Sequence, residues 1–380
     1  MNWPRLLDRI VGIPLLAPMA FCGQEPLRRK ESKPWHLRKI LLIKLAAVGD
    51  AVLLVPTIKA LKQALPDAQI DWLVSTVNQE IAHTVPGINH FWVWDNRGVS
   101  GLFGVLKIIR ELRAQRYDAV IDFEQWARGS AAIAFFSAAK IRVGFDTPKE
   151  HRAPAFTRTK PKRFDQHEML EFAELAAHLV PVSYADLTLE LLETASGIEQ
   201  LRKIAPQLFD EKNNHKRQSV LIHPGCGRDG LPREWPISKY AALAQWLIQN
   251  YSTDIYISAG PEEKWKSQKL NRLLDGKAFD LGGQLSWSAT VSLVQRMDLL
   301  VSGNTGVMHI GAALHRAQVA LHGPTNSVLW GPQNKLARVV RSSCAKCPCL
   351  RLGFEYHRLD NACMNLISLE EVQSAVKELI

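Results

Sequence analysis

The chain has 380 residues, is 47% hydrophobic and carries 47 Lys and Arg against 37 Asp and Glu, for a formal net charge of +10. That length and composition suit two folded domains and exclude disordered and fibrous classes. The positive balance favours an anionic partner, the sequence carries no zinc-finger or aromatic RNA-binding signature that would make it nucleic acid, and no apolar run reaches the ~20 residues that cross a bilayer.

The first segment, "MNWPRLLDRIVGIPLLAPMAFCG", has arginines ahead of apolar residues, but Asp8, Pro14 and Pro18 interrupt it and Phe21 is too large for a small-residue cleavage site. At helical spacing Trp3, Leu6, Leu7, Ile10 and Val11 share one face, while Arg5, Asp8 and Arg9 share another. Together with Arg28, Arg29, Lys30 and Lys33, residues 1–35 read as a basic, amphipathic extension. It suits a helix lying on a membrane surface, and equally a helix packed on its own chain.

From about residue 38, apolar runs alternate with amphipathic helices. "KILLIKL", "QIDWLV", "HFWVWD", "YDAVIDF" and "IRVGF" predict strands, and "DAVLLVPTIKALKQAL" and "GLFGVLKIIRELRAQ" predict helices. This alternation predicts a parallel sheet covered on both faces. Residues 147–166, rich in proline and basic side chains, predict a long surface loop, followed by the helix "HEMLEFAELAAHLV". A second alternation runs through "SVLIHPG", "DIYISAG", "AFDLGG", "DLLVSGN" and "QVALHGPT". In the closing helix "SLEEVQSAVKEL", Ser368 and Glu371 have capping-box spacing. The reading is α/β, with domains at 36–182 and 183–380 and functional loops at the carboxyl ends of the strands, facing a cleft.

Asp50 stands where the first helix begins, a place that in a nucleotide-binding half-domain would cradle a phosphate. The lone Gly49 gives no G-x-G-x-x-G fingerprint, so a nicotinamide-dependent oxidoreductase is disfavoured, and Asp50 is a helix cap or a functional carboxylate. The anion site moves to the second half. In "DLLVSGNTGVMHIGAAL", Gly303 and Gly306 permit close backbone approach, and Asn304 or Thr305 begins a helix. "HPGCGRDGLPREWP" adds Arg228 and Arg233, "SAGPEE" adds Glu262 and Glu263, and "HGPTN" adds Gly323, Thr325 and Asn326. Arginines for a diphosphate and a carboxylate for ribose hydroxyls fit a nucleotide diphosphate. Asp122 and Glu124 of "DFE" have the look of a D-x-D metal pair, which an arginine-rich diphosphate site does not need. Arg128, Lys160, Lys162 and Arg163 suit an acceptor bearing phosphates or carboxylates. Cys344, Cys347, Cys349 and Cys363 match no standard zinc module; they are a structural metal site or simply buried thiols.

The motifs "VGDAVLLVP", "PREWP", "NTGVMHIGAAL", "GPT" and "CMNLISLEEV" together resemble glycosyltransferase family 9, the heptosyltransferases of lipopolysaccharide synthesis, from about Lys39 to the end. The resemblance implies a GT-B fold, two Rossmann-like doubly wound domains facing across a cleft. It also implies inverting, metal-independent transfer of a heptose from an ADP-sugar donor, with no cofactor, to an anionic glycolipid, the lipopolysaccharide core. It places the protein in the cytoplasm, peripheral to the inner membrane. By position it makes Asp50 the general base, Arg233 the holder of donor phosphates, Glu262 the nucleoside contact, and Thr305 and Gly306 the phosphate-binding helix start, with His309 on the same helix. The sequence departs at Asn304, where many relatives have aspartate, which leaves the donor sugar open. The alternatives are a transferase of the same fold using another nucleotide sugar, and a non-catalytic nucleotide-binding relative.

Overall fold

The computed structural model describes residues 3–22, 37–95, 98–183, 187–210, 217–227, 230–350, 352 and 355–380. It divides into two compact units, Met1–Thr188 and Leu189–Ile380. Each is built on a six-stranded parallel sheet. In the first, β1 (Lys39–Ile43), β2 (Gln69–Ser75), β3 (His90–Trp94), β4 (Ala119–Asp122), β5 (Ile141–Asp146) and β6 (Arg158–Pro161) lie in the order β3-β2-β1-β4-β5-β6. In the second, β7 (Gln218–His223), β8 (Thr253–Ile257), β9 (Phe279–Asp280), β10 (Leu299–Gly303), β11 (Ala317–His322) and β12 (Ala337–Arg341) lie in the order β12-β11-β10-β7-β8-β9.

The central strands are apolar almost throughout because helices cover both of their faces. β1 reads KILLI, with its last four residues buried. In each sheet the direction of strand addition reverses at the centre, between β1 and β4 in one unit and between β7 and β10 in the other. Loops leaving the carboxyl ends there turn to opposite faces of the sheet, which opens a crevice.

The ten expected strands are present, and two edge strands add to them. β6 lies inside the segment expected to be a surface loop, and β12 carries the sequence ARVVR. Neither has a central strand's apolar run; each forms because a neighbour, β5 or β11, offers a free edge in register. The helix expected over "DAVLLVPTIKALKQAL" is two, Val48–Leu53 and Val55–Ala64. They break at Leu54, just ahead of Pro56, which has no N–H to continue the ladder. The closing helix Leu369–Lys377 has its capping box: the Glu371 amide donates to Ser368 Oγ (3.1 Å), and the Ser368 amide to Glu371 Oε2 (2.7 Å).

The helix Trp3–Leu16 packs on its own chain. Its orientation differs from the amphipathic expectation, since Asp8 faces the protein while Ile10 is 61% exposed. The reason lies in the helix Arg128–Phe136, whose preceding residue, Ala127, offers no side-chain cap. Asp8 supplies one. Its Oδ1 accepts from the amides of Arg128 (2.9 Å) and Gly129 (3.2 Å), and its Oδ2 from Arg128 Nη1 (2.9 Å). Gly12 permits the approach, because a Cβ there would lie 2.5 Å from Arg128 Cβ. Leu16 and Met19 then join the core with Leu41, Ile43 and Ile133. The basic residues 28–33 lie outside the described residues. Among the described residues no helix is long and apolar enough to cross a membrane.

Asp8→Ala removes a cap and one of the carboxylates of a buried guanidinium, so it is expected to destabilise the protein by about 2–4 kcal/mol. A urea midpoint unchanged from the wild type would show that the helix adds nothing to the fold.

Candidate active site

In the first unit the chain leaves β1 through Lys44–Ala47 and enters the helix Val48–Leu53. Ala47, just before that helix, has φ 62° and ψ 125°, a conformation that costs a non-glycine residue about 1–3 kcal/mol and gathers at functional loops. Asp50 lies past the cap position, inside the first turn. Its Oδ2 is 2.7 Å from Lys44 Nζ, so its partner is the buried ammonium at the end of β1. Lys44 Nζ is also 3.3 Å from Glu124 Oε2. Glu124 Oε1 accepts from the amides of Leu45 (2.6 Å) and Ala46 (2.8 Å). The loop after β4 therefore grips the loop after β1 at the point where strand order reverses.

Burial raises the Asp50 carboxyl above its usual value, and Lys44 pulls the other way. Burial alone would lower Lys44, but Asp50 and Glu124 outweigh it and hold the ammonium protonated. Asp50 keeps 12% side-chain exposure, against 2% for Glu124 and for Glu168. It is thus the most exposed carboxylate of this group.

The neighbouring acids are held by the protein. Asp122 lies 2.5 Å from Arg152 Nη2 and accepts from Ser130 Oγ (2.8 Å), and burial lifts its carboxyl to about 6 against the pull of Arg152. With Glu124 clamping the β1 loop, the D-x-D look of "DFE" reflects internal pairing. Lys44 and Glu124 were not singled out as a pair in the sequence. The signal available was a lysine closing an apolar strand, next to the Asp50 loop.

The basic residues expected at an acceptor are, with one exception, internal. Arg128 is fully buried, with Nη1 on Asp8 and Nη2 on Glu150 Oε2 (2.7 Å). Lys160 pairs with Glu171 (2.8 Å) and Glu174 (3.0 Å), and Lys162 with Glu168 (2.7 Å). These three are corrected to structural cations. A lysine in a basic stretch looks solvated in sequence, but β6 and the helix Glu168–Ala176 bring its carboxylates to it. Arg163 is the exposed one, 3.0 Å from Asp165.

In the second unit the crevice lies between the loops after β7 and β10. Arg233 bridges them, donating from Nη2 to Cys226 O (2.8 Å) and from Nη1 to Asn304 O (3.4 Å). Its Nε is buried with no hydrogen-bond partner among the described residues. Thr305 precedes the helix Gly306–Ala313 without capping it, and its Oγ1 is likewise buried and unpartnered among the described residues. An uncapped helix start beside an arginine turns free amides and a positive charge to the same place, the arrangement that suits an anion. His309 is buried on that helix.

The loop after β7 is shaped by Glu263 from the loop after β8. Its two oxygens accept from the amides of Cys226 (3.0 Å) and Gly227 (3.0 Å), and Lys266 Nζ pairs with it at 2.5 Å. Gly225 leaves room for that carboxylate, since a Cβ there would lie 2.4 Å from Glu263 Oε2. The two adjacent glutamates thus divide: Glu263 is buried in the loop, and Glu262 is exposed beside it. Arg228 lies outside the described residues.

Asn304 Nδ2 donates to Trp330 O (3.0 Å). That bond needs a donor, which an ionised aspartate lacks, so the departure at this position has a structural use. At the next loop, a Cβ on Gly323 would lie 2.5 Å from Met364 Sδ, and Thr325 Oγ1 is 3.1 Å from His322 Nδ1. Both residues fix the loop from within. Of the four late cysteines, Cys344, Cys347 and Cys363 bring their sulfurs within 4.8 Å of one another. Cys349 is not part of that group, which corrects the four-cysteine expectation; its amide donates to Pro324 O (2.9 Å).

Two doubly wound parallel units, each with its strand order reversing at the centre, are the architecture of the GT-B fold class. The profile of glycosyltransferase family 9 (heptosyltransferase) matches residues 105–357, and the chain belongs to that family. It is 22% identical over 306 residues to the lipopolysaccharide core heptosyltransferase OpsX of Haemophilus influenzae, covering 80% of this chain and 84% of that protein. The structure of E. coli ADP-heptose lps heptosyltransferase II aligns with TM-score 0.72 and 20% identity, over 90% of this chain and 98% of that one. E. coli heptosyltransferase WaaC with ADP aligns with TM-score 0.69 and 21% identity, over 90% and 100%.

Burial holds His223 and His322, at the ends of β7 and β11, near a pKa of about 4, below the ~6.5 of an unfolded histidine. Across that interval the unfolded chain binds more protons. Stability is therefore expected to fall as pH drops from ~6.5 toward 4, by up to about 3 kcal/mol per histidine. Thermal unfolding of His322→Asn should follow a flatter pH curve than the wild type; parallel curves would refute the assignment.

Proposed function

We propose that this protein is an inverting, metal-independent heptosyltransferase that moves a heptose from ADP-heptose to the lipopolysaccharide core. The first unit takes the acceptor and the second the nucleotide-sugar. The observation that carries the reading is the Asp50–Lys44–Glu124 arrangement. A carboxylate raised in basicity by burial, 2.7 Å from the Lys44 ammonium, is suited to take the proton of an acceptor hydroxyl. Once Asp50 is neutral, Lys44 keeps Glu124 as its counter-charge, so proton transfer strands no buried ion.

The acceptor oxygen then forms a bond to the anomeric carbon as the bond to the diphosphate breaks. The guanidinium of Arg233 and the amides at the Thr305–Gly306 helix start supply positive charge for the departing diphosphate, which supports a reading without a metal. Glu262, exposed next to the cradle, suits a ribose contact. The relative solved with ADP supports an adenine nucleotide, and the relatives named for lipopolysaccharide support an anionic glycolipid, in keeping with the +10 net charge. Action at the cytoplasmic face of the inner membrane follows from that acceptor. The second reading, another nucleotide sugar on the same mechanism, rests on Asn304 at a position where many relatives have aspartate.

The first test is a thermal-shift panel of ADP, UDP and GDP, because a ligand of the native state raises its stability by mass action. Selective stabilisation by ADP supports the donor; a preference for UDP or GDP overturns it and leaves the mechanism standing. Asp50→Asn is expected to lower kcat by ~10²–10⁴-fold while ADP still binds, and full turnover in that variant would falsify the general-base role. Lys44→Met should move the acid limb of the pH–rate profile upward by about 1–3 units, since Asp50 loses its opposite charge; an unmoved limb would separate Lys44 from the chemistry.

A further inference from the structure

Between β12 and the short helix Ala362–Asn365 the described residues form no helix and no named strand. Irregular connections of this length inside a compact domain are uncommon. Here three thiols converge. Cys344, Cys347 and Cys363 place their sulfurs within 4.8 Å of one another, and Cys344 Sγ and Cys363 Sγ are 3.3 Å apart. A disulfide would need about 2.05 Å. The 3.3 Å pair and the 4.8 Å bound on all three instead leave room for about 3.8 Å, the edge of a tetrahedron with metal–sulfur bonds of about 2.3 Å.

The backbone holds the thiols in place. The Cys347 amide donates to Cys344 O (2.9 Å), closing a tight C-x-x-C turn. Ser342 Oγ accepts from the Cys344 amide (3.2 Å) and donates to Cys363 O (2.6 Å), so one hydroxyl ties together the two ends of the segment. Cys363 is buried, while Cys344 and Cys347 are partly open to solvent, which leaves an entry path.

We propose that Cys344, Cys347 and Cys363 form a three-thiolate site for a thiophilic divalent metal, zinc. Each thiol gives up its proton on binding, and the metal clips residues 344–363 closed. The clip bears on the loop after β11, because the amides of Cys349 and Leu350 both donate to Pro324 O (2.9 and 3.0 Å) and Met364 packs on Gly323. The role is structural: the metal takes no part in glycosyl transfer, and the proposal stands apart from the choice of donor.

The test is the metal content of the full-length protein purified in reductant and dialysed without chelator, followed by replacement of the zinc with cobalt(II). Equimolar zinc, a thiolate-to-cobalt charge-transfer band, loss of the metal in Cys347→Ser and in Cys363→Ser, and its retention in Cys349→Ser are the expected results. A wild-type protein that binds no zinc overturns the proposal without reference to any variant. So does zinc retained by Cys347→Ser, zinc lost equally from Cys349→Ser, or a Cys344–Cys363 disulfide found by peptide mapping of freshly lysed cells.

Discussion

A lysine closing a buried strand cannot remain charged without a partner, and Lys44 has two. Placing its ammonium between Asp50 and Glu124 satisfies a cation whose isolated burial would cost several kcal/mol, and it joins the loops after β1 and β4 at the centre of the first sheet. Both carboxylates touch the same ammonium but do different work. Glu124 is sealed and fastens two backbone amides, whereas Asp50 keeps its edge toward solvent. Ala47, between Lys44 and Asp50, holds a positive φ that costs a non-glycine residue strain.

The second unit solves the equivalent problem with the signs reversed. Its switch point is held by Arg233, which reaches across from the β7 loop to the β10 loop through backbone carbonyls, and by Glu263, which gathers the amides of Cys226 and Gly227. What remains there is an uncapped helix start, whose amides carry partial positive charge, beside the Arg233 guanidinium, with the Arg233 Nε and the Thr305 hydroxyl buried and without a hydrogen-bond partner among the described residues. A carboxylate at one switch point and an arginine beside a helix start at the other are the two polarities on which the proposed transfer rests.

Much of the charge in the first unit is internal. Arg128, Arg152, Lys160 and Lys162 are all buried, each beside a carboxylate. A net charge of +10 therefore says little about which cations an acceptor could meet, and Arg163 is the one of the four expected contacts that solvent reaches. The first helix belongs to the same economy of charge, since Asp8 neutralises Arg128 and caps the helix that Arg128 begins.

Sequence alone determined the alternation of buried strands and helices, because a strand covered on both faces has to be apolar throughout; KILLI and DLLVSGN declare themselves. It also determined the capping box at Ser368, a local bond between residues three apart, and the glycines and Thr305 at the β10 helix start. Tertiary structure decided what depends on partners far along the chain. The edge strands β6 and β12 exist because β5 and β11 offer them an edge. Asp8 turns inward for an arginine 120 residues away, Lys160 and Lys162 leave solvent for glutamates of the following helix, and Asp50 owes its basicity to burial, against the pull of Lys44. Periodicity reports which face of an element is apolar. It cannot report which charge will meet which, since that is settled only when distant loops arrive at the same end of a sheet.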